Sequence, residues 1–324
     1  MSLFGPVVRL SVLRTFRQAV FFSSISTLFD KYLEKSRLIA KDKLKRRGFP
    51  STLSTTASSF DLRDLQLLRV TFQPTPFKSN VLPDVDDIGF PEEYILPNIS
   101  EKELLNKKFE IEDFKEISDD RVQTFLIDLH EIVKNVHSDE GMEEAETDTL
   151  VNNLLVQIVG LHRYPLRVRQ HPRCRLYIAS EVYMTAKPEF VINKKNISMI
   201  VIEDKHIKSK NLIPTKCYGE AQLAAEMLAC GNENMLRISS QTGAILDQTI
   251  FAVRVVSTYF TFYKTVIPKG YWKELGYGLP CKGSIIIKRW PEEMHPSGGL
   301  DIAEPSGRQN VLEAFFKIRK QLLQ

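Results

Sequence analysis

The stretch SMIVIEDKHIKS, residues 198–209, carries an apolar strand pattern straight into Glu203, Asp204, Lys205 and His206. Side chains alternate faces along a strand. Glu203 and Lys205 therefore share one face with Val201, while Asp204 and His206 share the other with Ile200 and Ile202. Upstream, KPEFVI places Glu189 beside Pro188 at the start of a second strand pattern. A hairpin around NKKN, residues 193–196, brings Glu189 toward the same end as Glu203. Two carboxylates and one ammonium then converge. Carboxylate oxygens suit a hard divalent cation. Such a cation polarises a phosphodiester and lowers the pKa of a bound water, and a lysine beside it orients that water or balances phosphate charge.

The elements around this rim follow from periodicity. DDRVQTFLIDLHEIVKNV begins with acids, which suit a helix N-terminus, and spaces Val122, Phe125, Leu126, Leu129, Ile132 and Val133 as a helix does. MEEAETDTLVNNLLVQIVGL reads as a second helix. PLRVRQ and RCRLYIAS alternate as strands, followed by KPEFVI and ISMIVIEDK. YGEAQLAAEMLACG is an alanine-rich helix closed by Gly231. TIFAVRVVSTYFTFYKTVI is one bent strand or a hairpin, GSIIIKRW a further strand, and GRQNVLEAFFKIRKQLLQ a terminal helix. The order from 119 predicts an α/β domain, a mixed sheet with helices on its faces.

These motifs, in this order, resemble the PD-(D/E)XK, or restriction-endonuclease-like, nuclease superfamily over about 140–270. The signature reads Pro188-Glu189, then Glu203-Asp204-Lys205. The resemblance implies a restriction-endonuclease-like mixed sheet and a nuclease dependent on Mg²⁺ or Mn²⁺. Glu189 and Glu203 would hold the metal with help from Glu146, the best placed of the acids 143, 144 and 146 on the helix before the sheet. Lys205 would position the attacking water, and Gln222 on the following helix would support the site. The chain departs from the family in one place: Glu189 stands where aspartate is usual, one methylene longer. That departure leaves a second reading open, a catalytically degenerate module that binds nucleic acid or protein. The overall look, with its long unrelated N-terminal part, also resembles nuclease-like proteins of fungi and Crinkler-type effectors.

Charge and composition frame the rest. The chain has 324 residues, 43% hydrophobic and 26% charged, with a net charge of +4. Residues 1–60 carry +8, residues 61–150 carry −14 and residues 151–324 carry +10. The basic C-terminal half suits a polyanion, DNA more than RNA. Arg167 and Arg169 on one strand face, with Arg173 and Arg175 on another, are the expected phosphate contacts. Charge guarding an exposed strand edge accounts for them equally well. Tyr259, Phe260, Phe262 and Tyr263 read as sheet core rather than as base-stacking platforms. Cys174, Cys217, Cys230 and Cys281 lack zinc-site spacing and read as reduced thiols. No GxSxG, P-loop or GxGxxG occurs, so the hydrolase-elbow, NTPase and dinucleotide-binding classes lack their usual support.

The expected organisation has three parts: a basic extension over 1–60, an acidic, proline-containing extended segment over 61–118, and the nuclease-like domain over 119–324. Residues 1–29, with Arg9, Arg14 and Arg17 and no acid, show the pattern of a mitochondrial transit peptide. The cluster Lys41–Arg47 is compatible with nuclear entry, and residues 50–60 read as a flexible linker. No run of about 18 apolar residues occurs, so a membrane span is not expected.

Overall fold

The structure is a computed structural model. It describes residues 28–324 apart from 87, 107, 138–143 and 206–212. His206 and nearly all of the 1–29 segment therefore lie outside the described residues.

The first described element is a helix over 28–46 (α1). It is followed by α2 (Leu62–Leu67), β1 (Val70–Pro74) and the short α3 (Glu101–Leu104). α4 (Asp120–His137) starts where the Asp119 carboxylate accepts hydrogen bonds from the Arg121 and Val122 amides, capping otherwise unpaired donors. α5 (Glu144–Asn153) runs into a π-helical turn, Leu154–Ile158. Five strands follow: β2 (Leu166–Gln170), β3 (Cys174–Ile178), β4 (Glu181–Ala186), β5 (Phe190–Lys194) and β6 (Ile197–Lys205). Then come α6 (Glu220–Thr242), β7 (Gln248–Val256), β8 (Tyr259–Ile267), α7 (Lys269–Tyr277), β9 (Ile285–Trp290), β10 (Leu300–Asp301) and α8 (Pro305–Leu323).

The main sheet has eight strands in the order β1-β9-β8-β7-β6-β5-β2, with β10 added to β8. β1 pairs with β9, and β6 with β7, in parallel; the other pairs are antiparallel. β3 and β4 form a separate hairpin. The fold is thus α/β with a mixed sheet, as the sequence predicts. Strand alternation divides the core in two. Ile200, Ile202, Phe190 and Ile192 pack with α4, α5 and α8, while Val191 and Val201 pack with α6 and the β3–β4 hairpin. Phe260 and Phe262 lie in the first core and Tyr263 in the second, as core residues should.

Several elements differ from expectation. α6 does not stop at Gly231 but continues to Gly243, whose left-handed φ of 70° ends it. Gly231 serves close packing instead: a Cβ there would meet Ile250 at 2.9 Å and Trp272 at 3.0 Å. β4 and α7 are additional elements; each is short, and α7 contains Gly270 and Gly276. The 61–118 segment contributes β1 to the sheet and buries Val81, Leu82, Tyr94, Leu96, Ile99 and Leu104. Its prolines do limit element length, but the apolar residues between them reach the core. The buried Arg308 guanidinium fastens it, donating to the carbonyls of Ile95, Leu96 and Ile99 as well as to Ile302 and Ala303. The expected linker over 50–60 also buries Leu53, Ala57 and Phe60. All four cysteines are free thiols. Among the described residues, no helix is long and apolar enough to cross a membrane.

Candidate metal centre

β5 and β6 form the expected hairpin, with Phe190 opposite Ile202 and Lys194 opposite Ile197. That register sets Glu189, one residue before β5, beside the C-terminal end of β6. β6 leaves the core between its two flanking layers, so its last residues serve both. Asp204 continues the Ile200–Ile202 face toward α5. Glu203 and Lys205 continue the Val201 face toward α6.

On the α6 side the charges form a network that leaves Glu203 Oε2, Gln222 Oε1 and Glu226 Oε2 buried without a hydrogen-bond partner among the described residues. Lys205 Nζ lies 2.7 Å from Glu203 Oε1. Gln222 Nε2 donates to the same Glu203 oxygen and, at 3.0 Å, to Glu226 Oε1. Glu203 and Glu226 are both almost fully buried. Burial pushes the Glu203 carboxyl up to about 7; the Lys205 charge and hydrogen bond oppose that rise, and Glu189 adds to it. Glu226 is held well above the usual carboxylate range, first by burial and next by the Glu203 charge.

On the α5 side three carboxylates converge. Single oxygens of Asp148, Glu189 and Asp204 all lie within 4.8 Å of one another. Asp204 is buried, and its pKa is pushed up to about 10, first by burial, then by the hydrogen bond and charge of Asp148 and by the charges of Glu189 and Glu203. Glu189 joins the two sides. Its Oε1 lies 3.9 Å from Lys205 Nζ, and its Oε2 lies 2.7 Å from His171 Nδ1. The His171 amide also donates to the Glu189 carbonyl at 2.9 Å.

The structure therefore brings Glu189, Glu203, Lys205 and Gln222 together but changes which acids converge. Glu146 is not in the trio; Asp148 takes its place. Residues two apart on a helix are separated by about 200°, so only one of these two acids can face the strand ends. Thr147 between them is fully buried, and the two acids flank it on opposite sides of the helix. Helical spacing does not choose between them: Asp148 lies three and seven residues before buried Val151 and Leu155, and Glu146 four and eight before buried Leu150 and Leu154. Glu203 is likewise displaced by its neighbour Asp204, because period-2 alternation sends Glu203 to the other side of the sheet. His171 and Glu226 carried no local signal, since their roles depend on contacts across elements.

The trio fits a divalent cation. Its donors are all carboxylate oxygens, as hard cations require. Asp148 Oδ1 and Asp204 Oδ2 are buried with no hydrogen-bond partner among the described residues. An orphaned buried acceptor is costly unless something satisfies it, and a cation would satisfy both.

One cavity adjoins the centre and a second lies further along α5 and β2. The first, of about 630 Å³, is lined by Glu189, Lys205, Gln222 and Glu226, by Arg173, Arg175 and Lys187, and by an apolar wall that includes Phe29 and Leu33 of α1. Arg175 is paired to Glu233 at 3.3 Å, and the Arg173 guanidinium lies 5.7 Å over the Phe29 ring. The second cavity, of about 460 Å³, lies along edge strand β2 and holds Arg167, Arg169 and His162. The four arginines thus divide between two surfaces. No protein-family model matches the chain, and no curated protein matches it.

Proposed function

We propose that the chain hydrolyses phosphodiester bonds of nucleic acid, DNA more than RNA, with Mg²⁺ or Mn²⁺ held by Asp148, Glu189 and Asp204. The observation that carries this reading is the convergence of those three carboxylates, one of which, Glu189, faces Lys205 and lines a cation-bearing cavity. A bound divalent cation supplies Lewis acidity and a water of lowered pKa. Lys205 faces the trio through Glu189, where an ammonium orients water or offsets phosphate charge. Glu203 anchors Lys205, and Gln222 with Glu226 anchors Glu203. His171 restrains Glu189, which answers the extra methylene relative to aspartate.

The topology supports assigning a restriction-endonuclease-like fold. A helix bearing an acid precedes the sheet, a β5–β6 hairpin gathers Glu189 and the E-x-K residues at one end, and α6 brings Gln222 over them. β7 then lies parallel to β6.

The degenerate-module reading draws on a different observation: Glu203 is closed into a buried pair with Lys205 and is not among the converging carboxylates. One assay separates the two. The full chain is incubated with labelled single- and double-stranded DNA and RNA in Mg²⁺, Mn²⁺ or EDTA, beside Glu189→Gln and Lys205→Ala. The hydrolytic reading predicts cleavage that needs metal and is lost in both variants. Binding without cleavage in any metal would reject it in favour of the module.

A further inference from the structure

We infer, building on the hydrolytic reading, that the centre takes a single polynucleotide strand running past it in both directions and cuts that strand internally.

Of the two cation-bearing cavities, the larger shares Glu189 with the carboxylate trio and the other is tied to it through α5 and β2. The larger one adjoins Glu189 and Lys205 on the α6 side and offers Arg173 and Lys187. The other begins one helical turn from the trio on the α5 side: Asn152, which lines it, is four residues after Asp148 on the same helix. Gln170, also in its lining, donates to Asn152 Oδ1 at 3.1 Å and immediately precedes His171, the partner of Glu189. A strand held by Arg167 and Arg169 at one end and by Arg173 and Lys187 at the other would run past Glu189. A polyanion held at both ends presents an internal phosphate there.

The wall chemistry selects a single strand. Phe29, Leu33, Ala57 and Ala186 give the larger cavity an apolar side facing its cations. Unstacked bases gain by burying their faces on apolar surface, whereas a duplex keeps its bases stacked inside and offers phosphates alone. α1 also restricts the approach. It is pinned across the β3–β4 hairpin by Lys43 to Glu181 at 2.8 Å and by Arg37 to the Tyr183 carbonyl at 3.2 Å.

The test has a binding arm that needs no metal. The full chain in EDTA is titrated with a labelled single-stranded oligonucleotide, as DNA and as RNA, across a range of salt. The variants are Arg167→Ala/Arg169→Ala and Arg173→Ala/Lys187→Ala. Each pair is expected to weaken binding roughly tenfold and to lower the logarithmic salt slope by roughly 1.4, two phosphate contacts on a single strand. A slope and affinity unchanged by Arg167→Ala/Arg169→Ala would overturn the two-sided path, whatever the protein cleaves. Binding a duplex as tightly as the single strand would overturn the single-strand selection. The cleavage arm uses a covalently closed single-stranded circle with Mn²⁺. Nicking of the circle is expected; a resistant circle beside a linear strand degraded from its end would also overturn the inference. No cleavage of any substrate, with both variant pairs weakened in binding, would leave the path standing and reject the hydrolytic reading.

Discussion

The Lys205 ammonium lies 2.7 Å from Glu203 Oε1 and 3.9 Å from Glu189 Oε1, so one cation faces both a buried hydrogen-bond network and the carboxylate trio. Losing it strands Glu203 in the interior. Breaking a buried pair from one side costs about 3–5 kcal/mol when the remaining charge stays ionised. Glu203 already titrates near 7, so it escapes that cost by taking a proton at acidic pH. Lys205→Met should therefore unfold at lower urea than wild type at pH 8, with a gap that narrows at pH 5. Adding Glu203→Gln should remove the pH dependence of the gap. A gap of equal size at both pH values would contradict the pairing.

The trio and its neighbour bias stability toward low pH in the absence of metal. Glu203 is raised from 4.5 to about 7 and Asp204 from 3.8 to about 10, burial being the first cause of each. Between those values the folded chain binds more protons than the unfolded one, so stability falls as pH rises. The stabilising contribution is fully present below about 4 and is lost by about 7 for Glu203 and about 10 for Asp204. Carboxylates must be deprotonated to hold metal. The rise in Tm produced by Mg²⁺ should therefore grow from pH 5 to pH 8. A rise that shrinks with pH would place the metal elsewhere.

Asp148 and Glu146 distinguish the geometry from the sequence expectation. Asp148→Asn should weaken Mn²⁺ binding by more than roughly tenfold, since changes to outer-shell partners alone reach 10–100-fold. Glu146→Gln should leave it unchanged. Isothermal titration of the two variants settles the assignment; the reverse order would restore Glu146.

Arg308 tests whether the acidic segment is part of the fold. Its guanidinium satisfies five backbone carbonyls, three of them in residues 95–99. Each buried acceptor left unpaired costs about 1–3 kcal/mol. Arg308→Met should lower unfolding free energy by at least about 3 kcal/mol and open 88–118 to early proteolysis. Arg308→Lys should recover little, because an ammonium has fewer donors than a guanidinium and lacks its planar fork. A mild urea shift with unchanged proteolysis would mark the segment as a detachable cover.

The rim of β6 was legible because strand period fixes faces without knowledge of the fold. Val201 with Glu203 and Lys205, and Ile202 with Asp204, sort as the sequence requires. The hairpin and α6 were legible for similar local reasons: a polar turn between two apolar runs, and an alanine-rich periodic helix. What escaped depends on distant partners. β1 is a five-residue edge strand whose partner, β9, lies some 200 residues later in register. The apolar residues of 81–104 follow no single period because they pack from turns. The choice of Asp148 over Glu146, and Asp204 over Glu203, rests on which layer of the sandwich supplies the other ligands, and Glu189 decides that by reaching toward α5.

The central claim is that Asp148, Glu189 and Asp204 hold one divalent cation. The most direct measurement titrates the full chain with Mn²⁺ and follows the free ion by electron paramagnetic resonance, beside Asp204→Asn and Glu189→Gln. One saturable site in the wild type, lost in both variants while circular dichroism shows them folded, is the predicted result. Wild-type chain that leaves the Mn²⁺ signal free, or variants that bind as the wild type does, would contradict it.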